Sequence, residues 1–210
     1  MKALFRKVDS YERLSQLAAL EIKKKIQKGN QVNLGLPTGG TPIGMYKELV
    51  NDSQLDWWNV STFNLDEYIE ISIDHPESYQ NFMNRNLFDH IDIDKFNIWF
   101  PHLVNDYDGM IDGLGGLDLT ILGIGSNGHI AFNEPNSPFD SKTRIVDLDE
   151  QTIEDNAETT EETGTVVGHY IQKVPTNLVY IAPETITPGT PWPGLPDNSS
   201  DANIVNPFTL

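Results

Sequence analysis

The chain of 210 residues contains no cysteine. Disulfides, thiolate nucleophiles and cysteine-ligated metals are thereby excluded, and the usage suits a reducing compartment. Base is scarce as well: 14 Lys and Arg stand against 31 Asp and Glu, a net charge of −17. Such a field repels polyphosphates and anionic lipid, so neither a nucleic-acid partner nor a membrane surface is expected, and an anionic ligand needs a local exception. Long apolar runs are missing too. Nothing approaches the roughly 20 residues of a membrane span, and the basic opening MKALFRKVDS leads into no signal-peptide core. A cytoplasmic protein is expected.

Two catalytic classes lack their motifs. No GxSxG elbow occurs, and Ser126 sits in GIGSNGH without a strand-to-helix nucleophile pattern. His75, His90, His102 and His169 show no HExxH spacing, so no metal site is expected.

What is present alternates. Ser10 can cap a helix carrying Leu14, Leu17, Ala18, Ile22 and Ile26 at helical spacing, with lysines at its end and Gly29 as its stop. Strands are expected at 32–36, 60–65, 96–100 and 119–124, with helices from Thr41 and over 78–88 between them. That order predicts an α/β fold built on a parallel sheet. The crossover helix over 105–116 must be short, because it holds Gly109, Gly113, Gly115 and Gly116. Residues 147–163 carry eight acids and no base, which suits either a helix over 149–157 or a solvated segment. A last strand is expected at 177–181. One domain then spans 1–182, followed by a tail over 183–210; seven of the 13 prolines fall between Pro175 and Pro207.

Three loops carry the chemistry. After the first strand, Pro37-Thr38-Gly39-Gly40-Thr41-Pro42 is a glycine turn, with Thr41 expected as helix N-cap and Pro42 at the first helical position. Its backbone N–H groups suit a phosphate; the alternative is an ordinary tight turn. After the second strand come Asp66 and Glu67, at the carboxyl edge where open α/β sheets place ligands. A shielded Asp66 has a raised pKa and can take a proton next to a carbonyl or imine; the alternative is an N-cap or surface acid. After the strand at 119–124, Gly125-Ser126-Asn127-Gly128-His129 leads to Glu134. His129 suits proton shuttling with Glu134 holding its ring, and the alternative is a buried structural histidine.

Taken together, LGLPTGGTP at 34–42, FNLDEY at 63–68, HPESYQNFM at 75–83 and LGIGSNGHIAFNEP at 122–135 closely resemble the glucosamine-6-phosphate deaminase family. The likeness covers about residues 1–157 and resumes at Lys173-Val174-Pro175-Thr176. It implies a Rossmann-like sheet between helix layers and conversion of glucosamine 6-phosphate to fructose 6-phosphate and ammonia, with no metal or organic cofactor. Asp66 would move the proton between sugar carbons, and His129 would open the ring with Glu134 and Asn127 beside it. Pro37, Thr38, Gly39, Gly40, Thr41 and Gly125 would hold the sugar phosphate. The related 6-phosphogluconolactonases are the nearest alternative, and a non-catalytic sugar-phosphate binder is another.

The resemblance has departures. Asn127 stands where many members carry an aspartate, so its amide can orient His129 without sharing a proton. Glu158 stands where an arginine usually contacts the phosphate, and no base follows Lys173 to supply the family's lysine. Losing two charge-assisted contacts is expected to weaken binding by about 3–6 kcal/mol. The family's last third is expected to be incomplete here, leaving one sheet edge open.

Overall fold

The computed structural model of the protein describes residues 8–69, 71–138, 140–156, 165–168 and 178–181. Helix α1 (Tyr11–Ile26) opens where the Ser10 hydroxyl accepts the Arg13 N–H at 3.2 Å. It buries Ala18, Ala19, Ile22 and Ile26, and Lys23, Lys24 and Lys25 close it at the negative end of its dipole. Strand β1 (Val32–Leu36), helix α2 (Ile43–Val50) and strand β2 (Val60–Asn64) follow. Next come β3 (Asp66–Tyr68), α3 (Tyr79–Asn86), β4 (Ile98–Trp99), α4 (Tyr107–Gly113) and β5 (Leu119–Gly123). The chain continues through β6 (Arg144–Asp147), α5 (Glu150–Asn156), β7 (Thr165–Gly168) and β8 (Leu178–Ile181).

Five strands form a parallel sheet in the order β4-β2-β1-β5-β8. The first two main strands wind one way from β1 and the last two wind the other, so the order reverses between β1 and β5. Side-chain alternation divides the layers. Val32, Leu34 and Leu36 of β1 pack with Leu119 and Ile121 under α1, α2 and α3, while Phe63 packs with Tyr107 and Ile111 of α4 on the opposite face. This is the parallel α/β sheet expected from the alternation of elements, set between the helix layers that the resemblance implies. Among the described residues no helix is long and apolar enough to cross a membrane.

Three details differ from the sequence reading. The strand expected at 96–100 shrinks to β4, because the Asp94 carboxylate takes the Phe96 N–H at 3.0 Å and winds Lys95–Asn97 into a 3₁₀ turn. Thr41 does not cap α2. The helix begins one residue later, with Pro42 at its cap position, because the Tyr11 hydroxyl reaches over from α1, donates to the Thr41 carbonyl at 2.9 Å and accepts the Gly44 N–H at 2.9 Å. Asp66–Tyr68 is itself a strand. It belongs to a small antiparallel sheet, β3-β7-β6, that alternation alone did not reveal. Within the acidic run, the helix alternative holds over Glu150–Asn156. The tail expected at 183–210 lies outside the described residues, as do Glu158 and Lys173.

The glycines of 105–116 work at the ends of α4. Asp106 caps it through the Gly109 N–H at 2.9 Å, and Gly115 and Gly116 turn the chain out at φ +95° and +83°. Asn33, buried on β1, ties this exit to the sheet: its amide donates to the carbonyls of Leu114 and Gly116, both at 2.9 Å. Asn33→Ala leaves both acceptors unpaired under the sheet. A loss of about 1–3 kcal/mol is expected, read as a lower urea midpoint with unchanged m.

Candidate active site

In an open α/β sheet the crevice lies beyond the carboxyl ends of the strands where winding reverses. Here that point falls between β1 and β5, and the loops leaving β1, β2 and β5 are the three singled out from sequence.

The β1 loop turns its carbonyls away and its amides outward. Pro37 is buried and its carbonyl accepts the Tyr46 hydroxyl, while the Tyr11 hydroxyl meets the carbonyls of Gly40 and Thr41. The N–H groups of Thr38, Gly39, Gly40 and Thr41 donate to no acceptor among the described residues. Gly39 sits at φ +88°, and a Cβ at either glycine would project into open space. Four such amides before a helix N-terminus are an arrangement that suits an anion.

The two acids after β2 have opposite surroundings. Glu67 is 1% exposed, and its carboxylate accepts the N–H groups of Tyr68, Tyr79 and Gln80 at 2.9–3.0 Å, anchoring the start of α3. Burial raises its pKa and those three donors oppose the shift. Asp66 is buried at 7% exposure, and no donor among the described residues reaches its carboxyl. Burial first, and the neighbouring Glu67 charge second, push its pKa up to about 8. One carboxylate is a structural anchor; the other has no such donors among the described residues and holds its proton up to about pH 8.

The β5 loop gathers four polar side chains. His129 Nδ1 lies 2.8 Å from Asn127 Oδ1, which also accepts the His129 N–H at 3.0 Å. The Asn127 amide donates to Glu134 Oε2 at 2.7 Å and to Thr152 Oγ1 at 3.1 Å. Glu134 therefore does not hold the imidazole directly, as the sequence suggested. Its Oε2 stands 4.0 Å from Nδ1, because the Asn127 carboxamide occupies the space between. A carboxylate only accepts, so Glu134 fixes which end of the amide is nitrogen, and the amide oxygen in turn requires a proton on Nδ1. The lone pair of the neutral ring then resides on Nε2.

Two further features hold this loop. Gly125 lies directly under the imidazole, where a Cβ would stand 2.2 Å from Cε1 and 2.4 Å from both ring nitrogens. Ala131 and Phe132 both adopt positive φ, 48° and 53°, in a turn closed by Ile130 and Asn133. The Phe132 ring offsets that strain by stacking on Tyr79 at 5.8 Å and packing on Tyr68 at 5.8 Å. Arg144 braces the turn from β6 through Asn133 Oδ1 at 2.9 Å.

Thr152 and the aromatic trio of Tyr68, Tyr79 and Phe132 escaped the sequence reading. Thr152 is the fully buried member of an acidic helix, three residues after Asp149, whose N–H donates to Glu134 Oε1 at 3.2 Å. Its spacing was the available signal, obscured by the surrounding charge. Among the described residues no group of three His, Asp or Glu side chains is placed to hold a metal ion.

A family model described as glucosamine-6-phosphate isomerases/6-phosphogluconolactonase matches residues 6–154. A glucosamine-6-phosphate deaminase of Clostridium perfringens (strain SM101 / Type A) is 48% identical over 159 residues, 70% of this chain and 66% of that protein. Glucosamine-6-phosphate deaminase 2 of Bacillus subtilis (strain 168) is 46% identical over 160 residues, 71% of this chain and 64% of its own length. The chain thus spans just under two thirds of the length of these relatives. Among solved structures, a monomeric glucosamine-6-phosphate deaminase superposes with a TM-score of 0.79 at 36% identity, covering 86% of this chain and 81% of that one. A 6-phosphogluconolactonase from Trypanosoma brucei shares the fold, with a TM-score of 0.67 at 17% identity over 86% of this chain and 82% of that one.

Two outcomes follow from this geometry. Gly125→Ala expels the imidazole from its place against Asn127, and a crystal structure of the variant should show the ring swung out. Asp66 binds its proton far more tightly folded than unfolded, about 8 against 3.8. Its contribution to stability is therefore fully present below about pH 4, is lost as pH rises through that interval and is level above it. Asp66→Asn should melt with the parent at pH 4 and above it at pH 9.

Proposed function

The chain belongs to the glucosamine-6-phosphate isomerase/6-phosphogluconolactonase family, and from that premise we propose that it converts glucosamine 6-phosphate and water to fructose 6-phosphate and ammonia. The outward amides of residues 38–41 receive the phosphate, a local exception to the negative field of the chain. His129, protonated at Nδ1 against Asn127, accepts the anomeric hydroxyl proton at Nε2 and returns a proton to the ring oxygen, opening the sugar. Asp66, once ionised, takes the proton from C2 of the open chain and delivers it to C1, while O1 gains a proton and the amine gives one up by exchange with water. The resulting C2 imine is hydrolysed by water, releasing ammonia and leaving the ketose.

The observation that carries this reading is Asp66: a buried carboxyl without hydrogen-bond donors among the described residues, at the crevice edge, with its pKa pushed up to about 8. Lactone hydrolysis asks for an activated water. Abstraction from carbon asks for a desolvated base whose pKa lies near the working pH, and that is what the β2 edge supplies. The small-molecule substrate and the cysteine-free composition support a cytoplasmic setting.

Ammonia release from millimolar glucosamine 6-phosphate is the test. The parent chain should turn over, with kcat/KM rising through a midpoint near pH 8 as Asp66 ionises in the free protein. Asp66→Asn should lower turnover by roughly 10²- to 10⁴-fold. Equal release by the two proteins removes Asp66 from the reaction.

A further inference from the structure

We propose that Thr152 is a positioning residue that locks the tautomer of His129 through Asn127. The inference rests on the ring-opening role assigned to His129 above, and it adds a residue from a separate element, α5, to that machinery.

The Asn127 carboxamide has two N–H groups and one oxygen. The oxygen accepts from His129 N–H at 3.0 Å and Nδ1 at 2.8 Å; one amide hydrogen goes to Glu134 Oε2 at 2.7 Å and the other to Thr152 Oγ1 at 3.1 Å. Thr152 Oγ1 also lies 3.2 Å from His129 Nδ1. With the Nδ1 proton directed at Asn127, the threonine oxygen presents lone-pair density to N–H groups of both residues. The Asn127 oxygen calls for a proton on Nδ1, and a threonine oxygen accepting from the same side keeps it there, which leaves Nε2 as the base.

Thr152 is completely buried, so its hydroxyl cannot be replaced by bulk water at no cost. Without that oxygen, one Asn127 N–H loses its acceptor and the imidazole loses its second reason to keep the proton on Nδ1. The ring is then released toward the Nε2–H form, which cannot accept the anomeric proton. Glu134 remains to orient the amide, so the lock weakens and is not abolished. Because Glu134 also accepts the Asp149 N–H at 3.2 Å, docking of α5 completes both ends of the arrangement at once.

The experiment compares the parent chain with Thr152→Val and Thr152→Ser. Imidazole ¹⁵N spectra are recorded without substrate, with the His129 signals assigned by their loss in His129→Gln, and ammonia release is measured in parallel. The valine variant is expected to gain Nε2–H tautomer and to lose about tenfold in kcat with KM changed by less than about twofold, whereas serine keeps the parent tautomer and rate. An unchanged tautomer in the valine variant overturns the proposal, whatever its rate. So does a serine variant whose tautomer shifts as far as that of the valine variant, since methyl packing would then be the cause. A parent chain that releases no ammonia sinks the deaminase reading alone, because the tautomer is read without substrate.

Discussion

Strand β1 is hydrogen-bonded along both edges, to β2 through five register pairs from Val32↔Val60 to Leu36↔Asn64, and to β5 at Leu34↔Leu119 and Gly35↔Thr120. Everything at the site depends on that double pairing. A parallel register brings the carboxyl ends of three strands to one edge, so the loops that follow them must share a crevice. Gly35 shows how tight the pairing is: a Cβ there would lie 2.7 Å from Thr120 Cγ2. The glycine cradle, the acidic pair and the histidine loop come from sequence positions about 30 and 60 residues apart, and only this sheet order makes them neighbours.

The two carboxylates after β2 show how one edge supports opposite chemistries. Adjacent in sequence, Asp66 and Glu67 point to opposite sides of β3 by strand alternation. Glu67 meets the amide-rich start of α3 and becomes a fixed anchor. Asp66 is buried beside the Glu67 charge, where its own charged form is costly. A one-residue slip of β3 would exchange the two roles, which gives its pairing with β7 through Asp66↔Gly168 a significance beyond its three residues.

Much of this was legible in the sequence because short apolar runs ending in glycine, acid or histidine announce strand ends directly. The parallel sheet and the three site loops followed from that pattern, together with the short crossover helix. What was not legible depended on side chains arriving from afar. Tyr11 displaced the cap expected of Thr41 from 30 residues away, and Asn127 inserted itself between His129 and Glu134, where spacing alone suggested a direct pair. Thr152 lay hidden for the same reason: its hydroxyl is meaningful only once α5 folds back over the β5 loop. The small antiparallel sheet escaped because β3, β6 and β7 are each four residues or fewer, too short for alternation to register.

The turn at Ile130–Asn133 sets a thermal hierarchy. Two consecutive side-chain-bearing residues at positive φ are held in place by the Phe132 stack and by Arg144, whereas the sheet beneath is held by continuous ladders and a closed apolar core. Local opening of that turn costs less than melting β1 from its neighbours. On heating, the histidine loop is expected to lose its arrangement before the sheet yields, leaving a folded form in which His129, Asn127 and Glu134 are no longer held together.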